Sequence, residues 1–406
     1  MPTAIQRLTG IGWKEQRPAL LVGFGHGGTH WIVATLYLIL PFVAKDLGLS
    51  YSEVGFLVAA FHASSTAANF GSGLVVDVTG RKAIFLLLSL IIGTAAFSVF
   101  ALGPVFPVQV LMVACIGAST NLWHPAAISL LSERYPRHKG YALSLHVTGA
   151  SIGDSLAPLV AGFLIAALTW QGTAFMGTVP AFLGALLIAA LLVRNERPSI
   201  RGDRRVTGFR DYLTGIKELV SNKAVLSLCL MSGFRNMTVN GLQVFLPLYL
   251  ADVMRISPIW MGAAMTTLQV GAIFGSPIAG VASDRMSRRT IMMAGLTAST
   301  AVLLALTVVE NNIVFISGVS ILGFMLFSVR PVIQSWLMDL TPPRVSGSAT
   351  SLLFGIQSAL SALAPAIGGM MADAWGLRSV FLMLGGTILI ANLLTFLLPR
   401  EDASQR

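Results

Sequence analysis

Gly73-Leu74-Val75-Val76-Asp77-Val78-Thr79-Gly80-Arg81-Lys82 is echoed 207 residues later by Gly280-Val281-Ala282-Ser283-Asp284-Arg285-Met286-Ser287-Arg288-Arg289. Both stretches end an apolar run, set Gly and Asp four residues apart, and close on basic residues. Around them the echo continues. Gly140, Ser144, Leu145, Pro158 and Gly162 recur at the same offset as Gly347, Ser351, Leu352, Pro365 and Gly369. At an offset of 206, His124-Pro125 recurs as Arg330-Pro331, Glu133 as Asp339, and Pro41 and Asp46 as Pro247 and Asp252. Self-similarity at one period over this much of a chain marks a tandem duplication.

The repeated unit is membranous. The 406 residues are 55% hydrophobic and 11% charged, against about 25% charged in soluble domains. Runs near the roughly 20 residues that cross a bilayer lie at about 18–43, 52–76, 83–103, 107–132, 140–167 and 173–193, then 223–250, 257–282, 290–309, 312–337, 347–371 and 377–398. These predict an all-α membrane protein of twelve spans: a first six-helix bundle (1–193), a basic linker (194–222) and a second bundle (223–406). No secretory signal pattern opens the chain, because the N-terminus is polar to Arg17 and the following apolar run is too long. Cys115 and Cys229 both lie in apolar runs and supply no disulfide or metal spacing.

The net charge of +10 would suggest nucleic acid in a soluble protein, but here its distribution excludes that. Of 27 Lys and Arg, 22 fall at the termini, in the linker and in the loops on the same side. Three (Lys45, Arg255, Arg378) fall in the opposite loops, and two (Arg235, Arg330) inside spans. Positive loops stay inside, so both termini are expected to be cytoplasmic in a bacterial inner membrane.

The opening stretch resembles the signature between the second and third spans of the major facilitator superfamily. Val78 stands where that signature has a basic residue, and the second copy keeps Arg285. The resemblance implies two six-helix bundles, each one a repeat, and alternating access about a mid-membrane site. It also implies a cytoplasmic gate made of Gly73, Asp77, Gly80, Arg81, Lys82, Asp284, Arg285, Arg288 and Arg289, with Arg134 a latch partner for Asp77. Retention of basic loops inside explains the same residues without a latch. In span 5, Gly149-x-x-x-Gly153-x-x-x-Ala157-Pro158-x-x-Ala161-Gly162 is similar to the motif of drug–proton antiporters in that superfamily, with Ala157 and Ala161 where Gly is usual. A direction-of-transport signal and plain close helix packing both account for it. From His26 through Trp123-His124-Pro125 to Gly162 the chain looks most like the fosmidomycin-resistance-type efflux branch, which implies export.

Charges inside spans are costly and mark functional candidates. At 1.5 Å per residue, His26, His124 and Arg330 sit roughly 10–12 Å, and Arg235 about 18 Å, from the cytoplasmic ends of spans 1, 4, 10 and 7. By the same resemblance, those four spans line the cavity. Arginines clamp carboxylates and phosphates through paired hydrogen bonds, and histidines add switchable donors. The expected substrate site is His26, His30, His124, Arg235 and Arg330, with Trp123 as a stacking partner. Structural pairing of an arginine, and packing roles for the histidines and for Trp31, Trp123 and Trp336, remain open. Asp154 is the carboxylate deepest in a span and, with His146 two turns away, is the expected proton-coupling site; a static bond between Asp154 and an Arg or His is the other reading.

His26 and His30 share a helix face at i, i+4 and with His124 could hold a metal. Two arginines at similar depth oppose a cation, so the expected set contains no metal and no cofactor. Gly25-His26-Gly27-Gly28 is no nucleotide loop: no strand precedes it and no Walker pattern occurs. No nucleophile–base–acid set supports an enzyme. The expectation is a monomeric, proton-coupled exporter of a small organic anion or anionic drug in the lipid bilayer. The alternatives are export of a transition metal or metal chelate, proton-coupled uptake of a carboxylate, or a non-transporting receptor.

Overall fold

The computed structural model describes residues 11–103, 105–196, 216–342 and 345–399, and each apolar run is a helix. They are α1 (Trp13–Leu47), α2 (Tyr51–Thr79), α3 (Lys82–Leu102), α4 (Phe106–Arg134), α5 (Lys139–Ala167) and α6 (Trp170–Leu191, broken at Thr178). After the linker come α7 (Lys223–Leu248), α8 (Pro258–Arg285), α9 (Arg288–Leu306), α10 (Asn312–Asp339), α11 (Ser346–Trp375) and α12 (Leu377–Thr395). The described residues contain no strand. Most of the basic linker lies outside them.

Local chemistry sets the ends. Asn222 accepts the N–H groups of Ala224 and Val225 at 3.0 and 3.3 Å, and Asn311 those of Ile313 and Val314 at 3.0 and 3.1 Å. Each cap satisfies donors that a helix start leaves open. Glu196, beyond α6, does the same for α3 by accepting from Ala83 and Ile84 at 2.5 and 3.2 Å. Gly80 ends α2 at φ +63°, its N–H on the Val76 carbonyl at 2.9 Å. That left-handed conformation explains the glycine in the quoted motif.

Among the described residues, ten of the twelve helices are long and apolar enough to cross a membrane by length and composition alone. The other two, α2 and α7, are diluted by polar residues: His62, Ser64, Ser65 and Thr66 in α2, and Arg235, Asn236, Asn240 and Gln243 in α7. Of these in α7, Arg235 is buried, as are Ser232 and Thr238, while Asn236, Asn240 and Gln243 are half-buried. Phe182, Leu183 and Leu186 of α6 and Leu382, Leu389 and Leu393 of α12 are instead exposed. Apolar exposure on this scale fits lipid, where the backbone is satisfied within each helix.

The fold consists of two compact units, Met1–Ile39 with Ala63–Gly202, and Leu40–His62 with Asp203–Arg406. Chain order puts the α1–α2 turn in 1–193, whereas packing puts it in the second unit. There the Asp373 carboxylate accepts the N–H groups of Tyr51 and Ser52 at 2.9 Å each and so caps α2. The Tyr51 hydroxyl donates to Asp252 at 3.0 Å. Gly55 lies against the backbone of Pro365 and Gly369.

Duplication shows in shared solutions. A proline inside a helix removes the N–H that would bond the carbonyl four residues earlier. Pro125 releases the Asn121 carbonyl, and the Ser72 hydroxyl donates to it at 3.1 Å. Pro331 releases the Phe327 carbonyl, and the Ser276 hydroxyl donates to it at 3.3 Å. Lys82 pairs with Glu133 in the first unit, and Arg288 pairs with Asp339 at 2.7 Å in the second. Both members of the second pair lie 206 residues beyond their counterparts. Each bond ties the start of one helix to the end of the next, α3 to α4 and α9 to α10. The side chains of Asp77 and Asp284, and any latch through them, lie outside the described residues, as does Gly73. Arg81 and Arg285 are exposed, and Arg289 donates to the Leu398 and Phe396 carbonyls at 3.2 Å each.

Candidate functional site

Glycines make room for the polar centre of the first unit. A Cβ on Gly23 would lie 2.8 Å from the Leu145 carbonyl oxygen, and one on Gly27 2.9 Å from that of Gly149. Gly149 and Gly153 face Gly23 and Gly27 in return, so α1 and α5 cross backbone to backbone. Gly25 meets the Trp123 ring, and Gly28 lies against the Ala181 backbone of α6. The glycine-rich stretch therefore lets α4, α5 and α6 approach α1 closely, with His26 the one side chain among them. Close packing, one of the two readings of the span 5 motif, has direct support in these contacts.

His26, His30, Trp123, His124, His146 and Asp154 meet here. The His26 Nδ1 donates to the His146 carbonyl at 2.7 Å. The His30 Nδ1 lies 3.0 Å from both Asp154 oxygens, and the His124 Nδ1 donates to the Thr120 carbonyl at 3.0 Å. The rings crowd together. His26 stacks on His146 at 3.8 Å between centroids and meets His30 and His124 edge-on at 4.7 and 5.0 Å. One nitrogen from each of His26, His30 and His124 lies within 4.8 Å of the others. His26 is 3% exposed, and its Nε2 has no hydrogen-bond partner. An unsatisfied buried polar atom costs about 1–3 kcal/mol.

The partners of Asp154 and His146 lie on other helices. Asp154 is held by His30, while the His146 Nε2 accepts the Trp123 indole N–H at 3.1 Å. Trp123 is fully buried and stacks on His26 at 6.0 Å, so its visible role is to hold the histidines.

Arg235 and Arg330 belong to the second unit. Arg235 is buried, and its Nε and Nη2 donate to the Leu326 carbonyl at 2.9 and 2.5 Å. The Phe327 ring lies 5.6 Å away. This bond ties α7 to α10. Arg330, by contrast, is exposed. Alongside runs a ladder absent from the expected set: Asn236 and Asn240 each donate to the Ser361 hydroxyl at 2.8 Å, and Gln357 to the Ser232 hydroxyl at 2.6 Å. Counting charges inside spans passes over such neutral groups. Their sequence signal is the i, i+4 spacing of Asn236 and Asn240, repeated by Gln357 and Ser361.

Comparison with known proteins follows the same lines. The sequence profile of the Major Facilitator Superfamily matches residues 20–264 and again 236–406. A multidrug resistance protein of Klebsiella pneumoniae, MdtG, is 26% identical over 98% of this chain and 97% of its own length. The quinolone resistance protein NorA of Staphylococcus aureus is 24% identical over 83% of this chain and 84% of its own length. A solved bacterial homologue of the human lysosomal transporter Spinster superposes with a TM-score of 0.81 at 16% identity, covering 94% of this chain and 96% of that one.

Proposed function

The chain belongs to the major facilitator superfamily and is a multi-pass membrane transporter, not an enzyme, and from that premise we propose that it exports a small organic anion or anionic drug in exchange for protons. It works by alternating access, as a monomer in a bacterial inner membrane with both termini cytoplasmic. Resistance proteins among its relatives support export. The charge census supports the orientation.

Arg330 carries the anion assignment. It is an exposed guanidinium inside a span, where a charge is costly unless it serves a cavity or a path. A guanidinium binds carboxylate or phosphate through two parallel bonds. Arg235, committed to Leu326, gives the same region positive charge and rigidity. His26, His30 and His124 are the assisting groups of this reading, and each becomes a donor to the anion through Nε2 when its ring is protonated.

The test is flux. Purified protein in liposomes should move an anionic drug against its gradient when a pH gradient is imposed and stop when the gradient is collapsed. Arg330→Gln should cut that flux at least tenfold while leaving the melting temperature in place, because the side chain is exposed. Equal flux by Arg330→Gln, or transport of cations alone, would overturn the anion assignment.

A further inference from the structure

We propose that His26, His30 and His124 form a three-imidazole site that binds a divalent transition-metal ion such as zinc, nickel or cobalt. The site lies wholly within the first unit and stands whether or not the exported solute is an anion.

Three observations carry it. The first is convergence: α1 supplies two rings and α4 the third, and one nitrogen from each lies within 4.8 Å of the others. Tetrahedral zinc with bonds of about 2.0–2.1 Å needs ligand nitrogens roughly 3.3 Å apart. Closing the set takes movements on the order of 1.5 Å or less, within reach of small ring rotations.

The second observation is what stands behind each ring. The Nδ1 atoms face the His146 carbonyl, the Asp154 carboxylate and the Thr120 carbonyl, at 2.7, 3.0 and 3.0 Å. Carbonyls and carboxylates only accept, so in a neutral ring Nδ1 holds the proton and Nε2 the lone pair. Histidines bound to metals are held in this way: the second nitrogen donates to a carboxylate or carbonyl, which fixes the tautomer and makes the ligand more basic. Here all three rings have such a backing, and one of them is a carboxylate.

The third observation is the His26 Nε2, a buried base with no hydrogen-bond partner. The neighbouring fourth imidazole shows the contrast. The His146 Nε2 already accepts from Trp123, which removes it from the ligand set.

Chemistry selects the ion. Imidazole suits zinc, copper, nickel and cobalt, while magnesium and calcium prefer oxygen. Three protein ligands leave a fourth position open, which suits an ion that exchanges.

The experiment is a cobalt titration of the full-length protein, purified through a tag that contains no histidine. Visible absorption of nitrogen-bound cobalt should saturate at one equivalent and be displaced by zinc. His124→Gln and His30→Gln should each weaken binding at least tenfold. Asp154→Asn, which leaves the ligands in place but alters the support of His30, should cost about tenfold. His62→Gln should bind as the parent does. Metal-free melting confirms that each variant is folded. His26 is packed too tightly for its own substitution to decide the matter. No cobalt uptake by the parent protein, or undiminished uptake by both His124→Gln and His30→Gln, would overturn the site. Absorption reports binding without flux, so its outcome is separate from that of the anion test.

Discussion

The two units share a scaffold and differ in what fills it. Prolines recur inside α4 and α10, serine hydroxyls bond the carbonyls those prolines release, and an ion pair joins equivalent helix ends. At equivalent depth the first unit holds half-buried His124 and the second exposed Arg330. Thr29, bonded within its own helix to the His26 carbonyl at 2.8 Å, corresponds to Arg235, which reaches across to α10. Packing of the matching helices differs as well. In the first unit glycines from both α1 and α5 meet. In the second, Ile356 and Leu360 stand where α5 has Gly149 and Gly153, and Gly233 of α7 makes the room. Duplication has kept the backbone solutions, where an unpaired carbonyl in lipid is costly, and has let the interior side chains diverge.

Three substitutions probe that contrast. The largest effect is expected from Gly149→Leu, which gives α5 a bulky side chain of the kind α11 already carries at Ile356. The Gly23 backbone fills that space, and backbone cannot rotate aside. No monodisperse protein should elute in gel filtration, and a well-folded variant would show that α1 and α5 do not need their close contact. Next comes Lys82→Gln. The Lys82 side chain is 5% exposed, and removing one member of a buried pair strands the other. The loss should be roughly 3 kcal/mol, the low end for such pairs because Glu133 still reaches water. A drop in melting temperature reads it. Arg288→Gln removes the equivalent bond, but Asp339 is 54% exposed, so the cost should stay under about 1 kcal/mol. Equal losses from the two would mean that the repeat sets these energies and local burial does not.

Much of this was legible in the chain. The repeat offset, the apolar runs and the loop charges gave twelve helices, because each signal is local or periodic. The charged groups inside spans could be named for the same reason. Their partners could not. His146 and Asp154 lie eight residues apart on one helix, which allows them a common face, yet Asp154 meets His30 and His146 meets Trp123. That choice depends on how α1 and α4 are rotated and how deeply they sit against α5. Glycine contacts fix both, and a count of charges does not weigh them. The Lys82–Glu133 and Arg288–Asp339 pairs were closer to the surface of the sequence. Glu133 and Asp339 already matched across the repeat, and their partners lie in the quoted motif.

The cap that Asp373 places on α2 has a consequence for biosynthesis. Tyr51 and Asp373 are 322 residues apart, so the start of α2 leaves the ribosome long before the group that completes it. At roughly 5–20 residues per second, that is a wait on the order of half a minute. Through that interval the N–H groups of Tyr51 and Ser52 must borrow their hydrogen bonds from water or lipid headgroups, while Ser50 and Glu53 already cap each other. The α1–α2 turn is thus made early and finished late, and its assembly belongs to the last stage of synthesis.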